Sequence, residues 1–81
     1  MITWDEGSSD RGCCGAAPGG QIATIVAEAD VRRGTRERAA VDHYGMLATI
    51  EEALGLPLLA GAADPRAGRL TQLFAQPPRV R

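Results

Sequence analysis

Residues 42–57 read DHYGMLATIEEALGLP and contain the signals for both ends of the one predicted helix. Asp42 is a residue type that caps helix N-termini, since its carboxylate accepts a hydrogen bond from a backbone N–H of the first turn. Gly55 suits the left-handed residue that ends a helix, and Pro57 prevents the helix from continuing. The sequence therefore predicts one helix between Asp42 and Gly55.

Apolar residues recur at helical spacing within this stretch. Val41 and Met46 have the spacing of a hydrophobic staple, which fixes how the chain enters the helix. The recurrence predicts a stripe that faces the core, made of Met46, Leu47, Ile50, Ala53 and Leu54. Glu51 and Glu52 are expected to face solvent.

Two runs that favour β-strands precede the helix. In residues 22–28, IATIVAE, both sets of alternate side chains are largely apolar. This is typical of a strand covered on both faces in a mostly parallel α/β sheet. Residues 1–4, MITW, form a shorter β-prone run. We therefore predict an α/β fold with about two short strands and one main helix.

The segments after the helix carry weaker signals. Residues 58–69 are rich in Ala and Gly and predict a loop, and residues 70–75 predict one short helical turn. We expect residues 1–75 to form one partial domain and residues 76–81 to form a mobile tail.

Composition limits the classes of function. The chain has 81 residues, with nine arginines, no lysine, ten acidic residues and a net charge of −1. Because acids and arginines are interspersed, the sequence lacks the basic footprint of a nucleic-acid-binding protein. No apolar run approaches the roughly 18 residues of a bilayer-spanning helix, so we predict no transmembrane segment. The large aromatic residues are only Trp4, Tyr44 and Phe74, which predicts a small core.

Asp5 and Glu6 follow the first β-prone run. In open α/β sheets, ligands gather outside the carboxyl ends of strands, and carboxylate pairs bind hard cations. Successive side chains of a strand point to opposite faces, so both reach one cation only if the backbone turns, which Gly7 permits. A solvated acidic turn is the alternative.

Three other groups of residues are candidates for chemistry. His43, the only histidine, begins the predicted helix, and both a supporting role at the surface and an active-site role are open. Cys13 and Cys14 are adjacent, which is a poor spacing for a zinc site; partners in a longer protein or two buried small groups are the alternatives. Residues 32–34, RRG, suit a phosphate, although a solvated charged loop is the more common outcome.

Several segments, taken in order, resemble the C-terminal region of the bacterial phosphoesterase family. This family groups acid phosphatases and phospholipase C type enzymes within the alkaline phosphatase superfamily. The similar segments are ITWDEG (2–7), CCG (13–15), GGQIATIVA (19–27), VRRGT (31–35) and DHYGMLATIEEALGLPLL (42–59). The resemblance as a whole extends over roughly residues 2–74. The family usually has a Gly-Pro-Gly type turn where this chain has residues 28–30, and a Ser where it has Gly45.

The resemblance implies a metal-dependent hydrolase of phosphate esters on an α/β/α sandwich, with a serine-type nucleophile. Asp5 and Glu6 match the family's metal-binding pair, and His43 matches a histidine on the active-site side. The family's nucleophile lies in an N-terminal half, so we expect a C-terminal fragment that does not turn over substrate alone. The resemblance also implies a secreted or periplasmic protein. Monoester, diester and phospholipid substrates remain open, as do Ca²⁺, Mg²⁺, Mn²⁺ and iron.

Two other hypotheses remain open. One is a small non-catalytic binding or interaction protein derived from the same fold, which would associate with itself to cover both faces of the IATIVAE strand. A fragment of a phosphoesterase would instead associate with the rest of its parent domain. The other is a small metal protein that uses Cys13, Cys14 and His43, although these supply only three ligands.

Overall fold

A computed structural model describes residues 1–7, 20–76 and 78 of the chain. Among them are two strands, β1 (Ile2–Thr3) and β2 (Thr24–Ile25), and one helix, α1 (His43–Leu54). Three 3-10 turns follow the helix, at Ala60–Ala63, Pro65–Ala67 and Thr71–Leu73. The mixed fold with two short strands and one main helix is thus confirmed for the described residues.

The two strands pair in antiparallel orientation, with Ile2 opposite Ile25 and Thr3 opposite Thr24. The two threonine hydroxyls lie 2.7 Å apart and share a hydrogen bond. Both isoleucines remain more than half exposed, because no described element covers their face of the sheet. This differs from the predicted strand of a mostly parallel sheet with two covered faces: β2 is two residues long and has one neighbouring strand.

The ends of α1 confirm the predicted caps. The Asp42 side chain accepts a hydrogen bond from the Gly45 N–H at 2.9 Å. Gly55 has φ 71° and ψ 27°, the left-handed conformation. The Leu56 N–H donates to the Glu51 carbonyl at 2.8 Å, which completes the two-bond pattern of a glycine-terminated helix.

The face of α1 that is buried is opposite to the one the apolar pattern predicts. The buried helix residues are Gly45, Ala48, Thr49 and Glu51. The predicted core stripe instead contains the exposed residues Leu47, Ile50 and Leu54, at 38%, 40% and 48% exposure. The expectation that Glu51 faces solvent is also wrong, since it is 4% exposed and its carboxylate accepts a hydrogen bond from the Leu59 N–H at 3.4 Å.

Close backbone packing explains this reversal. α1 packs on the 3-10 turns at residues 60–63 and 65–67. A Cβ atom at Gly45 would lie 2.1 Å from the Ala67 carbonyl oxygen, so the helix approaches closer than any side chain would allow. The short distance requires a residue without a side chain at this contact, which is Gly45, and the large apolar residues Leu47, Ile50 and Leu54 remain exposed.

The core of the described residues is small. It consists of Ala48, Ala62, Ala67, Leu70 and Phe74. None of the helices in the described ranges is long and apolar enough to cross a membrane.

The segments after α1 follow their predictions in part. The stretch predicted as a loop, residues 58–69, contains two 3-10 turns, and the turn predicted at residues 70–75 is present at Thr71–Leu73. Most of the predicted tail, residues 77 and 79–81, lies outside the described residues, so its mobility remains a prediction.

Candidate functional site

The first part of the site is a bend that carries two acidic residues, Asp5 and Glu6, which we call the acidic bend. The backbone bends at Asp5, two residues after β1 ends, and both side chains are exposed. Asp5 Oδ1 accepts a hydrogen bond from the Glu6 N–H at 3.0 Å, which holds the bend. A Cβ atom at Gly7 would lie 3.0 Å from the Gln21 carbonyl oxygen, so the chain after the bend passes close to the backbone before β2.

His43 joins the acidic bend to the start of α1. Its Nε2 lies 3.0 Å from the Asp5 carbonyl oxygen, across 38 residues of sequence. A carbonyl oxygen only accepts hydrogen bonds, so Nε2 carries the proton that is donated. The structure thus brings together two candidate segments that the sequence presents separately.

The position of His43 is fixed by the backbone around it. The preceding residue, Asp42, caps the helix and donates its own N–H to the Ala67 carbonyl at 3.2 Å. Two residues after His43, the buried Gly45 packs against the backbone of Ala67 and Gly68. These contacts hold the first turn of the helix in place, and with it the imidazole ring.

An open groove of about 1760 Å³ connects these residues to the rest of the surface. Asp5, Glu6 and His43 line it together with β2 and residues 31–42. Pockets for small molecules usually have volumes of about 300 to 1,000 Å³ and are more enclosed. The groove is therefore larger and more open than a usual small-molecule pocket.

Sequence reasoning missed part of this groove. Arg36 and Arg38 line it beside Arg32 and Arg33, whereas only the latter two stand out in the sequence as phosphate candidates. The signal was present as a run of arginines in residues 32–38, but interspersed acids elsewhere in the chain made the overall charge uninformative.

Asp5 and Glu6 are the side chains of the acidic bend that could contact a cation, but they supply only two of the ligands that a metal ion needs. Asp5 and Glu6 offer exposed carboxylates, the oxygen donors that hard divalent cations prefer. Within residues 1–7, 20–76 and 78, no group of three or more His, Cys, Asp or Glu side chains is placed to hold a metal ion. Further ligands would have to come from other segments. Cys13 and Cys14, the alternative metal ligands, lie outside the described residues.

The carboxyl with a strongly shifted pKa lies away from the groove. Asp64 caps the 3-10 turn Pro65–Ala67, and its carboxylate pairs with the Arg66 guanidinium at 2.8 Å. Hydrogen bonds from the Arg66 side chain and backbone lower the pKa of Asp64 to about 2. The same contact raises the pKa of Arg66. This pair stabilises a local turn and has no partner in the groove.

Comparison of the chain with protein-family models, with curated proteins and with solved structures gives no match. The resemblance to phosphoesterases therefore rests on the sequence segments named above.

Proposed function

We propose that this chain forms the metal-binding C-terminal part of a phosphoesterase that hydrolyses phosphate esters. The observation that supports this most strongly is the hydrogen bond between His43 Nε2 and the Asp5 carbonyl at 3.0 Å. It joins the two segments that carry the chemistry of the resembled family, and both line one groove.

Each residue has a distinct role in this proposal. Asp5 and Glu6 hold a divalent cation, which when bound neutralises charge on a phosphoryl oxygen. The Asp5 carbonyl orients the His43 ring by accepting a hydrogen bond from its Nε2–H, as carbonyl groups commonly do for histidines at metal sites. Ser8 and Ser9 match no nucleophile motif and lie outside the described residues, so the nucleophile and the remaining ligands are assigned to other segments.

Exposed apolar surfaces on two elements support a larger assembly. Leu47, Ile50 and Leu54 lie on the outer side of α1, and Ile2 and Ile25 lie on one face of the sheet. In an α/β/α sandwich, the apolar face of a helix packs on the sheet, and helices cover both sheet faces. The rest of such a domain would cover both surfaces.

Binding of a phosphate-ester analogue tests the proposal on the chain itself. Phenylphosphonate would be titrated into the purified protein by calorimetry, with Mn²⁺ present or with EDTA. We expect Mn²⁺ to strengthen binding over that in EDTA, and this Mn²⁺-dependent gain to be lost in Asp5→Asn/Glu6→Gln. Asp30→Asn, which removes another exposed acid, is the control and should bind as the unchanged chain does. Equal binding with and without Mn²⁺ would contradict the assignment of the acidic bend.

The second candidate is a non-catalytic interaction protein of the same fold, and the exposed apolar residues favour it as well. It would cover Leu47, Ile50 and Leu54 with a second copy of itself or with another protein. Three results together would favour this candidate over the phosphoesterase. They are a dimer in sedimentation equilibrium, a cooperative unfolding transition, and no Mn²⁺-dependent binding of phenylphosphonate.

A further inference from the structure

The loop between β2 and α1 carries the densest positive charge of the chain. Residues 31–38, VRRGTRER, are called the basic loop here, and they contain Arg32, Arg33, Arg36 and Arg38. All four arginines are exposed, and all four line the groove that also contains the acidic bend. The loop therefore gives one part of the groove a positive potential.

These four charges have no carboxylate partner among the described residues. Other arginines there do have one: Arg66 pairs with Asp64 at 2.8 Å, and Arg69 pairs with Glu52 at 2.7 Å. The one acid within the loop, Glu37, accepts a hydrogen bond from the backbone N–H two residues later, at 2.8 Å. Its carboxylate thus caps the backbone, and the guanidinium groups remain open to an anion.

Backbone hydrogen bonds hold the base of the basic loop in place. Val31 forms an isolated β-bridge with Phe74, which is buried. The Arg32 N–H donates to the Leu73 carbonyl at 2.8 Å. A turn follows, in which Gly34 has φ 68°, a conformation that other residues rarely adopt. The arginines are therefore presented from a fixed base and a defined turn.

We propose that the basic loop is a binding site for phosphate anions with two or more negative charges, such as pyrophosphate or a phosphate ester with a second anionic group. The guanidinium group presents planar pairs of N–H donors that match phosphate oxygens, and such charged hydrogen bonds are roughly twice as strong as neutral ones. Bound anion also relieves the repulsion between neighbouring arginines. This site needs neither Asp5 and Glu6 nor a cation, so it does not depend on the phosphoesterase proposal.

Calorimetric titration with sodium pyrophosphate in EDTA tests the site. We expect binding that weakens as salt is raised, because the contacts are between exposed charges. Arg32→Gln/Arg33→Gln/Arg36→Gln should weaken it by about tenfold or more, given the strength of charged hydrogen bonds. The corresponding triple Lys variant keeps the positive charge but loses the planar donor pairs. Its affinity for pyrophosphate should therefore lie between that of the unchanged chain and that of the Gln variant. Arg66→Gln, whose side chain is already paired, is the control and should bind as the unchanged chain does.

The proposal would be overturned if the unchanged chain did not bind pyrophosphate, or if the Gln triple variant bound it with equal affinity. NMR shift changes in the unchanged chain check the location without any variant, and changes centred outside residues 31–38 would also overturn it. Vesicles that contain phosphatidic acid identify the source of the phosphate. Sedimentation with these vesicles, reversed by pyrophosphate, would assign the site to a lipid headgroup, and pyrophosphate binding alone would assign it to a soluble ligand.

Discussion

Gly45 shows how a single residue determines which face of α1 is buried. The resembled family usually has Ser at this position, but the Ala67 carbonyl oxygen lies 2.1 Å from where a Cβ atom would be. The absence of a side chain therefore permits the close contact between the helix and the segment around Ala67. The departure from the family pattern has a physical reason that the sequence alone does not reveal.

Gly45→Ala should destabilise the protein, although Ala is the better helix former. Helix propensity favours Ala over Gly by about 1 kcal/mol, while overpacking a close contact costs about 1 to 3 kcal/mol. We expect a lower midpoint in thermal unfolding followed by circular dichroism. Ala53→Gly, at a half-buried helix position, reports the ordinary propensity change and should also lower the midpoint. A higher midpoint for Gly45→Ala would contradict the close packing.

Thr49 is a buried polar residue with both hydrogen-bonding roles satisfied. Its hydroxyl donates to the Gly45 carbonyl at 2.8 Å and accepts from the Leu70 N–H at 3.0 Å. Thr49→Val keeps the shape but leaves the Leu70 N–H without a partner, at a cost of about 1 to 3 kcal/mol in the free energy of unfolding. Thr49→Ser keeps both bonds and should lose less. Urea denaturation measures both variants, and a neutral Thr49→Val would show that the bond to Leu70 has no role.

Asp64 makes part of the stability depend on pH. Its pKa is about 2 in the folded chain, below the ordinary 3.8, because Arg66 stabilises the carboxylate. The contribution of this contact to the free energy of unfolding is therefore complete above pH 3.8, where the unfolded carboxyl is ionised as well, and is lost as the pH falls towards 2, where the folded carboxyl takes up its proton. NMR titration of the Asp64 carboxyl should give a midpoint near 2. An Arg66→Gln variant should return it towards the ordinary value, and an unchanged midpoint in that variant would exclude the ion pair as the cause.

At the scale of elements, the local signals predicted the helix and its ends correctly, while the buried face required the tertiary structure. Asp42 caps the first turn of α1 and Gly55 ends its last turn. Both effects are local, so they can be predicted from neighbouring residues. The buried face depends on what packs against it, and here the partner is a close backbone segment. β2 illustrates the same limit, since the apolar run IATIVAE forms only the short strand Thr24–Ile25.

The outer side of α1 should tolerate polar residues. Leu47 and Ile50 are 38% and 40% exposed, so Leu47→Gln/Ile50→Gln removes less buried apolar surface than a substitution in the core does. Each of these substitutions should lower the free energy of unfolding by about 1 kcal/mol or less. Leu70→Ala, in the core, is the contrast and should cost about 2 to 5 kcal/mol. Urea denaturation compares them, and a large loss from the Gln variant would show that something covers this side in solution.

At the scale of the whole molecule, a small core coexists with extensive exposed apolar surface. The described residues bury three alanines, one leucine and one phenylalanine, whereas ten large hydrophobic residues remain exposed. The sequence suggested this imbalance through its few large aromatics. It also suggested Asp5, Glu6 and His43 as separate candidates, but their common groove depends on a contact across 38 residues that no local pattern contains.

We propose that the acidic bend holds a cation beside the start of α1, and NMR line broadening by Mn²⁺ tests this on the chain itself. Substoichiometric Mn²⁺ broadens the signals of nuclei close to the bound ion. We predict broadening centred on Asp5 and Glu6 that extends to His43. This broadening should be lost in Asp5→Asn/Glu6→Gln. Broadening centred on other acidic residues, or broadening of the bend that leaves His43 unchanged, would contradict it.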